Sequence, residues 1–218
     1  MIYYTPQEDK LNAWTHAAGI LLALVAGGTL LWWCIRANDD WAILGMSLYL
    51  AGMTASYITS TVYHAAPANS RLRQQMRKWD HAAIYWHIAG SYSPVTLVAM
   101  RTEGYWGWGL FIFEWVVAIC GTVASFRHLR DHSHLETICF VLMGMSVLVA
   151  FRPLLRCMPP LAIAWMLADG VANVLGALVY ARSPGRPYAH TVFHLFILLA
   201  SICYLLCLRE MLIQQFQL

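Results

Sequence analysis

The chain is a succession of uncharged apolar runs, each about as long as a lipid bilayer is thick. A helix needs about 20 apolar residues to cross the hydrocarbon core. Seven runs approach that length, at residues 11–35, 41–63, 80–100, 106–126, 135–155, 159–181 and 188–208. Backbone groups in lipid must be hydrogen bonded inside the chain, so spanning segments are helices or closed barrels. Barrel strands need only about 9–11 alternating residues, which excludes them here. The pattern predicts an all-α polytopic membrane protein, a seven-transmembrane-helix bundle forming one domain over residues 1–218. The loops are short and leave no separate soluble domain. The fifth run is the weakest, because its uncharged core covers only residues 137–151 and Arg152 has to snorkel.

Composition agrees. Charged residues make up 11% of the chain, against about 25% in soluble domains. The net charge of +3 is too small to argue for nucleic acid as a partner. The six cysteines form no CxxC pair and lie mostly in or beside apolar runs, so buried free thiols are the simplest reading. The first ten residues are polar and mixed in charge, without the basic start and short apolar stretch of a cleaved signal. The first run is therefore expected to insert and stay.

Lysines and arginines orient the spans, since they are retained on the cytoplasmic side. With a cytoplasmic N-terminus the inside segments hold nine of them: Lys10, Arg71, Arg73, Arg77, Lys78, Arg127, Arg130, Arg182 and Arg186. The outside segments hold five: Arg36, Arg101, Arg152, Arg156 and Arg209. The bias predicts the N-terminus inside and the C-terminus outside. Trp32, Trp33, Trp41, Tyr105, Trp106 and Trp108 then form an outer aromatic belt, and Trp79 and Tyr188 an inner one.

Polar groups inside such runs are costly and are functional candidates by default. His190 and His194 stand one helical turn apart, as do Ser60 and His64. Spacing of i and i+4 puts both members of a pair on one helix face. In the predicted topology the second span ends at the cytoplasmic side, and the third and seventh start there. Ser60, His64, Asp80, His190 and His194 then share one inner layer. Three imidazoles suit a tetrahedral zinc ion with its fourth position open. Asp80 would take a proton from the water or orient it, and Ser60 would bond the water or a substrate carbonyl. Each feature has a plain alternative. Paired helical histidines are commonly packed or interfacial, and a helix-start aspartate commonly serves the helix dipole.

Other groups carry less. His16 reads as a packed histidine or as a member of the same cavity. His81 points about 100° away from Asp80, and His87 lies two turns along on the Asp80 face. His128, His132 and His134 form a loop cluster. Glu114 and Asp169, nearer mid-membrane, would be protonated, paired or part of a polar track. Gly27, Gly28, Gly170 and Gly176 read as close-packing sites between helices.

The stretch from Ser60 to His64, the basic loop, and the stretch from Asp80 to Ile84 together resemble the paired motif of the hemolysin III family. Pro187 to His194 resembles its last motif. This family is the bacterial branch of the progestin and adiponectin receptor family, and the resemblance covers essentially the whole chain. It implies seven helices, a cytoplasmic N-terminus, and zinc held by His64, His190 and His194 with a water near Asp80. Ser60 is similar to a serine of a wider group of membrane hydrolases that includes alkaline ceramidases. The chain departs from some bacterial relatives in having Tyr204 where they carry a late histidine.

The resemblance thus implies a zinc-binding protein of the bacterial inner membrane, its metal site near the cytoplasmic face and its partners membrane lipids. A metal-dependent hydrolase of a ceramide-like lipid amide, with Asp80 as general base and Ser60 assisting, is the leading expectation, or else a regulator of membrane lipid state. The alternative is a non-enzymatic sensor or receptor-like protein with structural zinc. Direct cytolysis has little support in a chain of this kind. The sequence assigns no oligomeric state.

Overall fold

Helix ends follow local signals. The structure, a computed structural model, describes residues 4–128 and 134–218, without the side chains of 128, 134 and 135. Helix α1 (Pro6–Leu22) starts five residues ahead of the apolar run, because Thr5 and Glu8 form a capping box with Pro6 in the first turn. A widened turn at Ala23–Gly27 joins it to α2 (Gly28–Ala37) in one continuous rod. Asn38 ends that rod in the left-handed region, at φ 53°. Asp39 caps α3 (Asp40–Ala65), and Ser70 caps α4 (Arg71–Pro94), which runs on through a wide turn at Val95–Ala99. Helices α5 (Tyr105–His128), α6 (His134–Met145), α7 (Phe151–Cys157), α8 (Pro160–Ala181) and α9 (Ala189–Phe216) complete the chain.

Every regular element among the described residues is helical. Among the described residues six stretches are long and apolar enough to cross a membrane: Pro6–Ala37, Asp40–Ala65, Tyr105–Arg127, Glu136–Cys157, Pro160–Ala181 and Ala189–Phe216. The run at 80–100 is not among them. Its helix, α4, is diluted by His81, His87, Ser91, Tyr92, Ser93 and Thr96.

The weak fifth run has a cause. Between α6 and α7 the helix tightens at Ser146–Ala150. The Tyr92 hydroxyl enters the ladder there, accepting from the Val147 N–H at 3.0 Å and facing the carbonyls of Met143 and Gly144, each at 2.9 Å. An inserted side chain is a known cause of a broken helical ladder. Glu114, fully buried, accepts from Ser146 at 2.6 Å beside it.

Two of the four glycines expected to pack do not. A Cβ on Gly28 or Gly170 would meet nothing within 4 Å, whereas Gly27 faces Leu50 and Gly176 faces Phe196. The tightest backbone approaches lie between α3 and α4. A Cβ on Gly52 would stand 2.3 Å from the Trp86 carbonyl oxygen, and one on Gly90 2.9 Å from that of Leu48. These glycines lock α4 against α3, which fixes Asp80 opposite Ser60. The main core, which includes Met46, Tyr49, Met53, Cys207, Leu208 and Leu212, lies further along the bundle from the two polar pairs.

Candidate metal centre

The end of α3 and the starts of α1, α4 and α9 meet at one end of the bundle. His64 comes from the last turn of α3, and His190 and His194 from the first two turns of α9. One ring nitrogen from each of the three lies within 4.8 Å of the others. His194 Nε2 stands 3.0 Å from His190 Nε2. Two lone pairs at that distance repel unless a proton or a cation lies between them. Nitrogens at about 2.0–2.1 Å from one zinc sit roughly 3.4 Å apart, within the spread seen here.

The Nδ1 atoms of His64 and His194 are already engaged. His64 Nδ1 is 2.9 Å from Asp9 Oδ1. The same carboxylate oxygen accepts from Arg73 Nη2 at 2.8 Å, and Arg73 Nη1 bonds the Ala66 carbonyl at 3.0 Å. His194 Nδ1 is 3.2 Å from both the Asn12 carbonyl and the Thr15 hydroxyl. A proton held on each Nδ1 leaves Nε2 as the free lone pair. His64 Nε2 is buried without a hydrogen-bond partner, and His64 and His194 are themselves nearly inaccessible. These features fit a divalent metal: a neutral imidazole set, outer partners that fix the ring orientation, and an orphaned nitrogen facing its fellows.

Helix α1 therefore supplies the outer ring of this centre. Asp9, Asn12, Thr15 and His16 lie on its inward side, and His16 stacks on His194 with ring centroids 3.6 Å apart. His16 fills both roles its position allowed, packing on His194 and lining the same cavity. Glu8 ties α1 to α9 by accepting the Tyr188 N–H at 2.8 Å. Tyr4, ahead of α1, covers the group, its ring 4.8 Å from His190 and 5.4 Å from His64. Burial pushes the Tyr4 phenol well above its ordinary range, so it stays a neutral cover. The sequence reading missed Asp9, Asn12, Thr15, Arg73 and Tyr4.

Asp80 and Ser60 come to the same cavity wall. Both line a cavity of about 280 Å³, together with His190 and His194. His81 bonds Glu136 at 2.9 Å and lines the same cavity. His87, Asp169 and Tyr204 line it further from the histidine group. Tyr204 donates to the Ser91 carbonyl and so serves the packing of α9 on α4. The His128, His132 and His134 cluster falls outside the described side chains.

Sequence comparison covers nearly all of this arrangement. A family model described as haemolysin-III related matches residues 4–205, a span that holds every site residue named above. Hemolysin-3 of Bacillus cereus is 29% identical over 201 residues, covering 92% of this chain and 90% of that protein. A hemolysin-3 homolog of Bacillus subtilis (strain 168) is 26% identical over 204 residues, 94% of each chain. The human monocyte to macrophage differentiation factor is 27% identical over 202 residues, 90% of this chain and 81% of that protein. With all of the described chain but its last thirteen residues, and the whole histidine group, inside the matched region, the chain belongs to the haemolysin-III related family.

Proposed function

We propose that this protein is a zinc-dependent hydrolase of a membrane lipid amide. It would sit in a bacterial inner membrane with its metal centre near the cytoplasmic face. One observation carries the reading: three imidazoles converge at one end of the bundle, two of them on the wall of a cavity that Asp80 and Ser60 also line. In this reading α4 is a seventh span, its polar residues turned to the cavity rather than to lipid. The N-terminus is then cytoplasmic and the C-terminus outside.

His64, His190 and His194 would hold the ion through Nε2. Zinc bound there supplies a Lewis acid for a carbonyl and a water that ionises near neutrality. Asp9 fixes the His64 ring, and the Asn12 carbonyl fixes that of His194. Asp80 takes the proton from the attacking water at a carboxylate oxygen and delivers it to the amide nitrogen as that bond breaks. A fatty acid and an amine leave. Ser60 orients Asp80 in the resting site and is the hydroxyl available to the carbonyl oxygen as charge develops.

The test uses purified protein in lipid nanodiscs, with elemental analysis and turnover of a panel of N-acylated lipids. Stoichiometric zinc with amide turnover is expected. In Asp80→Asn the zinc stays and turnover falls by about 10²–10⁴. Stoichiometric zinc without turnover on any amide lipid overturns the hydrolase reading. A second reading, a sensor with structural zinc, draws on the way the histidines tie α3 to α9 under Tyr4. It expects His194→Ala to unfold the bundle and Asp80→Asn to leave the phenotype unchanged.

A further inference from the structure

The cavity continues well past the metal centre, and its far half is not purely apolar. Ser201 lies seven residues beyond His194 on α9, and His87 seven beyond Asp80 on α4, each about 10 Å further along its helix axis. Tyr49 lies eleven residues before Ser60 on α3, about 16 Å along. All three line the cavity, as does Asp169 of α8. Four helices thus each turn one polar group to the same deep wall. Polar groups in membrane helices are expensive, so this convergence needs a purpose.

The groups are linked. His87 lies 6.1 Å from the Tyr49 ring and 5.9 Å from that of Tyr57, whose hydroxyl is 2.7 Å from Ser201 Oγ. Tyr49 is fully buried, and its hydroxyl has no partner although its residue lines the cavity. Asp169 bonds only within its own helix among the described residues, to Asn173 at 2.8 Å. Between these groups the walls are apolar, with Phe140, Val141, Met166 and Ile197. Among the described residues the wall carries a single cation, Arg77, at the metal-site end.

The cavity also has a side opening. Met145 of α6 and Gly170, Asn173 and Val174 of α8 line it and are exposed at the perimeter of the bundle. Gly170, Asn173 and Val174 sit midway along α8, where a bilayer would supply chains rather than water.

We propose that the deep half of the cavity is a binding subsite for a lipid chain bearing a neutral hydroxyl in mid-chain. The reason is chemical fit. A hydroxyl both donates and accepts, so it can accept from Tyr49 and donate to Asp169, while the rest of the chain lies on the apolar wall. An unsubstituted chain leaves the Tyr49 hydroxyl unmet, and an anionic group finds no cation at that depth. The subsite deepens the hydrolase reading by naming the acyl part of its substrate, and rests on that reading only for the fate of the chain.

The experiment measures binding, not turnover. Octadecanoic acid and its positional mono-hydroxy series compete with a fluorescent fatty acid on the nanodisc protein, once with zinc and once after chelation. A mid-chain hydroxyl is expected to improve binding about tenfold over the plain chain, the scale of one good hydrogen bond. Tyr49→Phe keeps the ring and should erase that preference while leaving the plain chain unchanged. Asp169→Val, on the half-buried opposite wall, should do the same. Equal binding of plain and hydroxylated chains by the wild type overturns the proposal, as does a preference that survives both substitutions. The zinc-loaded protein, assayed for turnover as well, separates the two readings. Selective chain binding without amide turnover sinks the hydrolase and keeps the subsite, whereas turnover without chain selectivity does the reverse.

Discussion

Asp9 is the residue that most changes the picture of the centre. Its carboxylate oxygen holds His64 on one side and Arg73 on the other, so the carboxylate and the guanidinium, both partly withdrawn from solvent, satisfy each other while orienting the imidazole. Removing such an outer partner typically costs 10–100-fold in metal affinity. Asp9→Asn should therefore weaken zinc binding by about that factor in a competitive chelator titration, with the fold retained. Unchanged affinity would show that Asp9 serves only the packing of α1. The inner residues were legible from sequence because i, i+4 spacing in an apolar run is conspicuous. Asp9 was not, since its partner lies 55 residues away and its neighbours are ordinary charged residues ahead of the first run. A signal did exist. The capping box at Thr5 and Glu8 starts α1 early enough to place Asp9, Asn12 and His16 on one face.

At the scale of elements, the contact between α3 and α4 carries Ser60 and Asp80 into register. Gly52 permits it, because any Cβ there would strike the Trp86 backbone carbonyl rather than a side chain that can turn away. Gly52→Ala should destabilise the bundle by roughly 1–3 kcal/mol, the usual cost of overpacking, and lower the thermal unfolding midpoint in detergent. Gly28→Ala meets open space and should be neutral or stabilise by up to about 1 kcal/mol, since alanine is the better helix former. Equal effects would mean that the close approach does not bear load. Apolar length predicted where helices lie but could not tell a packing glycine from an idle one. That depends on which face meets a neighbour, and Gly27 and Gly28 differ in it by a single position. The interruption at Ser146–Ala150 was equally hidden, because its cause is Tyr92, more than 50 residues upstream.

For the whole molecule, the number of spans decides which side each terminus occupies. Six stretches qualify as membrane spans on apolar length, and α4 does not. An even number would leave both termini on one side. If α4 also crosses, they lie on opposite sides. The physical case for crossing is that α4 is locked to α3 along its length and turns His87 and Tyr92 to the cavity, so its polar groups need no contact with lipid. Its apolar content is low because neighbouring helices, not acyl chains, form its surroundings. The loop charges then place Arg71, Arg73, Arg77, Lys78, Arg182 and Arg186 inside, with the metal centre between them. A phosphatase reporter fused after Leu218 should be active and a fluorescent protein there dark, while the same pair fused at the 183–187 loop should give the reverse. A dark phosphatase after Leu218 with an active one in the 183–187 loop would mean that α4 does not cross. The carboxyl-terminal half would then be inverted, and His190 and His194 would lie across the membrane from His64, unable to share one metal with it.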